Sequence, residues 1–129
     1  MLIFFKADHD SRLAERLQGQ ILQELMEKEV EIHDRTTLAG RLRRRIYDVD
    51  MVVCIASDLD ALCEIELIRE ISQHLELVLV VSGQVAAQTA RLYRLYPRSV
   101  LRMDEETPWV VEFVCYKMKN LKKGRHENV

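Results

Sequence analysis

The chain has 129 residues, of which 48% are hydrophobic and 31% charged, with a formal net charge of −2. This balance suits one globular domain and excludes a global attraction to nucleic acid or anionic membrane. No apolar run approaches the ~20 residues of a membrane span, and the opening MLIFFKADHD lacks the basic region of a secretory signal, so a cytoplasmic protein is expected.

Strand and helix signals alternate five times along the chain. Residues 2–5 (LIFF) read as a short apolar strand. Residues 11–28 put Leu13, Leu17, Ile21 and Leu25 on one helical stripe, with Ser11 as N-cap. Residues 29–34 (EVEIHD) alternate charged and apolar side chains, as an edge strand does. Residues 37–47 predict a short helix with Leu38, Leu42 and Ile46 inward. Arg35, Arg41, Arg43, Arg44 and Arg45 crowd that helix and its approach, so most of them face outward as a basic, solvated surface.

Residues 51–56 (MVVCIA) are apolar throughout, which fits a strand covered on both faces. A helix follows over 60–74, then a second fully apolar strand over 77–82 (LVLVVS). Residues 85–96 predict a helix ended by Pro97. Residues 99–103 (SVLRM) are a mixed, edge-like strand. The last helix runs over 107–120, with Thr107 as cap and Pro108 in the first helical position. Residues 121–129 are a basic tail, expected to be flexible.

Five β–α units imply a parallel sheet with helices on both faces. Three strands look central and two look like edges, which suits the flavodoxin-like order 2-1-3-4-5 in a three-layer α/β sandwich over residues 1–120. Ligands of such sheets sit beyond the carboxyl ends of the strands, at the switch point between strands 1 and 3. The residues expected at that mouth are Asp8, His9 and Asp10, then Ser57, Asp58 and Asp60, then Ser82. Four aspartates around a switch point could hold Mg²⁺ or a polar ligand. Aspartate and serine are also the favoured N-caps and loop residues, and the weight falls on that reading, so no metal or cofactor is expected.

Other chemistry is missing. The glycines are Gly19, Gly40, Gly83 and Gly124, so neither a dinucleotide fingerprint nor a P-loop exists. There is no G-x-S-x-G elbow. Cys54, Cys63 and Cys115 lack zinc-ligand spacing and read as buried thiols.

Two family resemblances arise from these segments. In length and element order nearly the whole chain resembles a response-regulator receiver domain. DVDMVVCIAS resembles the receiver's third strand, and LVLVVSG its fourth, with Ser82 at the hydroxyl position. The phosphoacceptor aspartate of receivers ends strand 3, where this chain has Ile55 and Ala56. Lys6 and Ala7 stand where the receiver's acidic pair ends strand 1, and Arg102 or Met103 replaces the strand-5 lysine. The resemblance therefore implies a pseudo-receiver without aspartyl-phosphate chemistry.

Residues 2–70 also resemble a TIR domain. FFKADHDSRLAERL is similar to the TIR opening, and RLRRRIYDVDMVVCIAS to the helix and strand that end in the TIR serine, here Ser57. Cys63-Glu64-Ile65-Glu66-Leu67 resembles the W-C-x-x-E-L segment, with Leu62 at the tryptophan. That resemblance implies an NAD-cleaving N-glycosidase with Glu66 as its carboxylate. At about 100° per residue, Ala61, Ile65, Ile68, Ile71 and Leu75 form the sheet-facing stripe. Glu64 falls on that side, whereas Glu66 falls on the solvent side with Arg69, Glu70 and Gln73. Glu64 and Glu66 are thus the catalytic candidates if the chain is an enzyme.

Tyr93, Tyr96, Trp109, Phe113 and Tyr116 place five of the eight aromatic residues in the last two helices. Apolar residues also cover most of the last helix, more than one stripe needs. A partner is therefore expected on the face formed by the fourth helix, fifth strand and last helix, with a C2 homodimer the commonest form. The leading functional expectation is a non-catalytic signalling or protein-interaction module. The alternative is a TIR-like nucleotide N-glycosidase, with Asp8, Asp10 and Ser57 lining its pocket. Neither nucleic acid nor membrane is expected as a partner.

Overall fold

The computed structural model describes residues 1–7, 12–25, 29–44, 48–102 and 107–127, without the side chains of 13, 14, 107–109 and 121–127. Its elements are β1 (Leu2–Phe5), α1 (Arg12–Glu24), β2 (Val30–His33), α2 (Arg35–Arg44), β3 (Met51–Ala56), α3 (Leu59–Arg69), β4 (Glu76–Val81), α4 (Gly83–Ala86), α5 (Thr89–Tyr93), β5 (Ser99–Arg102) and α6 (Thr107–Glu127). The strands form one sheet in the order β2-β1-β3-β4-β5, as the strand patterns predict. All pairings are parallel, with Phe5 opposite Cys54, Ala56 opposite Val81 and Val81 opposite Arg102.

Strand periodicity divides the core into two layers. Ile3, Phe5, Val52, Cys54, Leu77 and Leu79 point to one face, where Leu38 and Leu42 of α2, Ile65 and Ile68 of α3, and Leu92 of α5 cover them. Leu2, Phe4, Met51, Val53, Val78 and Val80 point to the other, under Leu17 and Ile21 of α1 and Val114 and Met118 of α6. Each such side chain taken fully out of water contributes about 1.5–3 kcal/mol before entropy is counted. The edge strands β2 and β5 keep exposed positions in their patterns.

Several expectations need correction. The helix expected over 85–96 is two short ones. Ser82 starts α4 early, its side-chain oxygen accepting from Val85 N–H at 3.3 Å. The helix then breaks at Gln88, which sits outside the helical region (φ −86°, ψ 53°) and makes no side-chain cap. α3 stops at Arg69, where 60–74 was expected. Ile71 lies past its end and is 42% exposed, so it does not extend the inner stripe. α6 continues to Glu127, beyond Asn120.

Two arginines are buried, and for Arg69 this overturns the solvent-side position that helical geometry gave it. Arg41 donates to Glu31 Oε1 at 2.7 Å and to Asp48 Oδ1 at 2.9 Å. Arg69 donates to the carbonyls of Leu95 (2.7 Å), Ser72 (2.7 Å), Leu75 (2.9 Å) and Tyr96 (3.3 Å). Cys63 is exposed, unlike Cys54 and Cys115. Ser11, Arg45 and Ile46 lie outside the described residues.

Candidate functional site at the carboxyl edge of the sheet

The carboxyl edge is built from the ends of β1, β3, β4 and β5. After β1, Lys6 is exposed and Ala7 buried; Asp8, His9 and Asp10 lie outside the described residues. After β3 the chain turns through Ser57 into α3. Asp58 is extended (φ −147°, ψ 177°), and its carboxylate accepts from Ala61 N–H at 2.7 Å. It caps the helix, satisfying an N–H that the first turn leaves without a partner. Asp60 is exposed in the first turn, where the helix dipole favours an anion. Ser57, Asp58 and Asp60 thus belong to one loop and cap.

Ser82 sits beside the end of β3, because its N–H donates to Ala56 O at 3.1 Å. Its hydroxyl is the α4 cap described above. A Cβ built on Gly83 would lie 2.9 Å from Arg102 Nη2, so the glycine makes room for the guanidinium that reaches across from β5. Ala56, Ser82, Gly83 and Arg102 are therefore the residues gathered at the described part of the mouth. Among the described residues, no group of three or more His, Cys, Asp or Glu side chains is placed to hold a metal ion.

The α3 glutamates diverge, as helical geometry predicts. Glu64 is buried on the inner side of the helix. Glu66 is partly exposed and forms an ion pair with Arg91 of α5, through Nη2 to Oε1 and through Nε to Oε2 at 3.3 Å. Arg91 Nη2 also lies 3.4 Å from Cys63 Sγ. The hydrogen bond to Glu66, and then that to Cys63, hold the guanidinium still more firmly protonated. Glu66 acts here as a strut between α3 and α5, away from the β1/β3 switch point.

The aromatic candidates do not share one surface. Tyr93 and Tyr96 are 67% and 84% exposed on α5 and the turn into β5. Phe113 is half-buried against the α1/α6 core, with Lys117 Nζ 5.9 Å from its ring centroid. Tyr116 is exposed and turns toward α1, lining a groove with Gln20 and Glu24. The side chain of Trp109 lies outside the described residues.

Three clefts stand out. One of about 500 Å³ lies between α1 and α6. One of about 360 Å³ lies between Glu66 of α3, Glu70 just past its end, and Arg94 and Tyr96 beyond α5. One of about 370 Å³ lies at the amino ends of β4 and β5, beside Arg69, His74 and Arg98. None of the three is lined by Ser57, Asp58, Asp60 or Ser82. Composition gave no hint of the buried Arg41 and Arg69. The usable signals were positional: Arg41 adjoins Leu42 on the inner stripe, and Arg69 ends a helix, where a cation meets unpaired carbonyls.

No protein-family model matches the sequence, and no curated protein matches it. Solved structures do match in fold. The REC (receiver) domain of AraT, a response regulator from Geobacillus stearothermophilus, superposes with a TM-score of 0.62 over 96% of this chain and 97% of its own, at 17% identity. The cpaE chain of Burkholderia thailandensis, assigned to pilus assembly, gives a TM-score of 0.55 over 92% and 98%, at 19% identity. The chain has a receiver-like, flavodoxin-like fold, and neither of these neighbours is a TIR domain. Among the described residues no helix is long and apolar enough to cross a membrane.

Proposed function

We propose that the chain is a signalling or protein-interaction module of receiver-like fold that performs no phosphoryl chemistry of its own. The observation that carries this reading is the end of β3. Where the receiver resemblance calls for the phosphoacceptor aspartate, Ile55 and Ala56 are buried, at 4% and 0% exposure. Neither side chain can form an acyl phosphate. Ser82, at the hydroxyl position, already engages Val85 N–H as a cap. A switch driven by phosphorylation of this chain has no nucleophile at its usual starting point, which leaves surface recognition as the working part.

The surface we assign to that work comprises α5, the turn into β5, β5 itself and the outer side of α6. It presents Tyr93 and Tyr96, with Val100 40% exposed beside them in sequence on an edge strand. Exposed tyrosines of this kind anchor interfaces, since a large rigid ring gains contact area at low entropic cost. Pairing with a second copy about a twofold axis is the form expected of it, and a cytoplasmic location goes with this reading. The N-glycosidase alternative gains no support from Glu66, which is tied to Arg91.

Acetyl phosphate with Mg²⁺ tests the proposal. The intact mass stays unchanged after incubation. Addition of one phosphoryl group at Asp8, Asp10 or Asp58 would overturn it.

A further inference from the structure

β5 ends the sheet, so one side of its backbone faces away from β4. We propose that a second copy of the chain fills this edge, β5 lying antiparallel to the partner's β5 about a twofold axis, so that the two sheets become one. This pairing rests on the surface assigned above and specifies how its centre is built.

The ladder fixes which backbone groups are open. Within a strand the N–H and C=O of one residue point to one side, and successive residues alternate. Ser82 N–H donates to Ala56 O at 3.1 Å, and Leu77 O accepts from Arg98 N–H at 2.8 Å. Even-numbered residues of β4 therefore turn to β3, and odd-numbered ones turn to β5. With Leu79 opposite Val100 and Val80 opposite Leu101, Ser99 and Leu101 answer β4, and Val100 turns outward. Among the described residues nothing bonds to the outward N–H and C=O of Val100. Its side chain is 40% exposed, on the sheet face that α5 covers. An edge without charge, proline or bulge is a template for another strand, and Ser99, Val100 and Leu101 carry none of these guards.

A twofold axis at Val100 makes this strand its own complement. Val100 N–H donates to the carbonyl of the partner's Val100, and the exchange is reciprocal. The two valine side chains meet on the α5 side, and Leu101 falls opposite the partner's Ser99 on the α6 side. Arg98 falls opposite the partner's Arg102. The Arg102 guanidinium reaches back toward Gly83 of its own sheet, which draws that charge away from the axis. Four strand residues alone bury too little for a stable dimer. Tyr93 and Tyr96, exposed on α5 and its turn, supply the flanking area. The opposite edge, β2, is poorer. Asp34, just past it, already uses its N–H on Thr37 Oγ1 and its C=O on Leu38 N–H, and Glu31 and Asp34 guard that edge with charge.

The test is amide hydrogen exchange of the full chain, ¹⁵N-labelled, at low and high protein concentration, with light scattering on the same samples. The Val100 amide exchanges freely in the dilute chain and about tenfold more slowly once the dimer forms. The Ser99 and Leu101 amides stay protected throughout. This comparison needs no variant. Val100→Pro removes the outward donor, which an edge strand tolerates; it weakens the dimer by about tenfold and leaves the rest of the exchange pattern unchanged. A dimer whose Val100 amide stays fast, or one that survives Val100→Pro at full affinity, overturns the strand pairing and leaves the α5–β5–α6 surface standing. A wild-type chain that stays monomeric at high concentration overturns that surface as well. Slow exchange of Val100 at every concentration gives the edge to the chain's own segments and overturns the pairing.

Discussion

The buried guanidinium of Arg69 holds the carbonyl of Tyr96 at 3.3 Å. Tyr96 is the one non-glycine residue with positive φ (51°) among those described. The same guanidinium holds Leu95 O, Ser72 O and Leu75 O. One side chain at the end of α3 thus ties down both the turn into β4 and the turn into β5. Among the described residues its hydrogen-bond partners are all carbonyls, and burial works against its charge. Carbonyl dipoles at a helix end are the natural compensation. The turn that presents Tyr93 and Tyr96 is therefore set from inside the fold.

Replacing Arg69 tests this directly. Arg69→Met leaves four carbonyls short of a charged donor and lowers unfolding stability by about 3 kcal/mol in urea denaturation. Arg69→Lys recovers little of it, because one ammonium cannot span carbonyls on two separate turns. Full stability in Arg69→Met would remove the guanidinium from this account.

Tyr96 is expected to respond in the opposite direction. A left-handed backbone costs a side-chain-bearing residue about 1–2 kcal/mol, and glycine escapes that cost. The ring is 84% exposed, so it contributes little to the core. Tyr96→Gly should therefore hold or raise unfolding stability, by up to about 1 kcal/mol after the entropy of glycine is counted. The same change should weaken self-association, measured by light scattering over a concentration series. Stability lost with association unchanged would show that the ring serves the fold.

The acidic and basic groups joining β2 to α2 imply a pH dependence. His33 Nε2 and Arg41 Nε both meet Glu31 Oε1, at 2.8 and 2.7 Å, and Arg41 continues to Asp48. Burial opposes the charge of Glu31, but the hydrogen bonds from His33 and Arg41 outweigh it and hold its carboxyl below the usual 4.5. The hydrogen bond from Arg41 likewise lowers Asp48 below 3.8. Depressed carboxyl values stabilise the fold above the unfolded value, and that contribution is lost as pH falls through the folded one. The melting-temperature advantage of the wild type over Glu31→Gln should be full above pH 4.5 and shrink progressively below it. A constant gap down to pH 3 would contradict the pairing.

The sheet was legible in the sequence because its central strands are apolar on both faces. LIFF and MVVCIA match β1 and β3 residue for residue, and their burial fixes them as interior strands. The end of α3 was not legible. It depends on Ser72 Oγ bonding Ile68 O at 3.0 Å and on Arg69 binding the carbonyls beyond it. A helical wheel treats a cation as solvated and cannot register the carbonyls it will meet after the turn. The burial of Arg41 was hidden for the same reason, since its partner Glu31 comes from a different element.

The candidate mouth was legible as a place more than as a chemistry. Asp58 and Ser82 stand at the carboxyl edge, and both are engaged as caps. The contact between Gly83 and Arg102 depends on the β4–β5 register, which places Arg102 beside Val81. No local pattern encodes that register. The five aromatics looked like one surface by composition. Azimuth around α6 separates Tyr116, on the α1 side, from Tyr93 and Tyr96 on α5 and its turn.

Molar mass by light scattering, measured with and without acetyl phosphate and Mg²⁺, tests the central claim most directly. The account predicts one dimeric mass under both conditions, because association runs through the exposed α5–β5–α6 surface and needs no phosphoryl group. A monomer at high protein concentration, or a dimer that forms only with the phosphodonor, would contradict it.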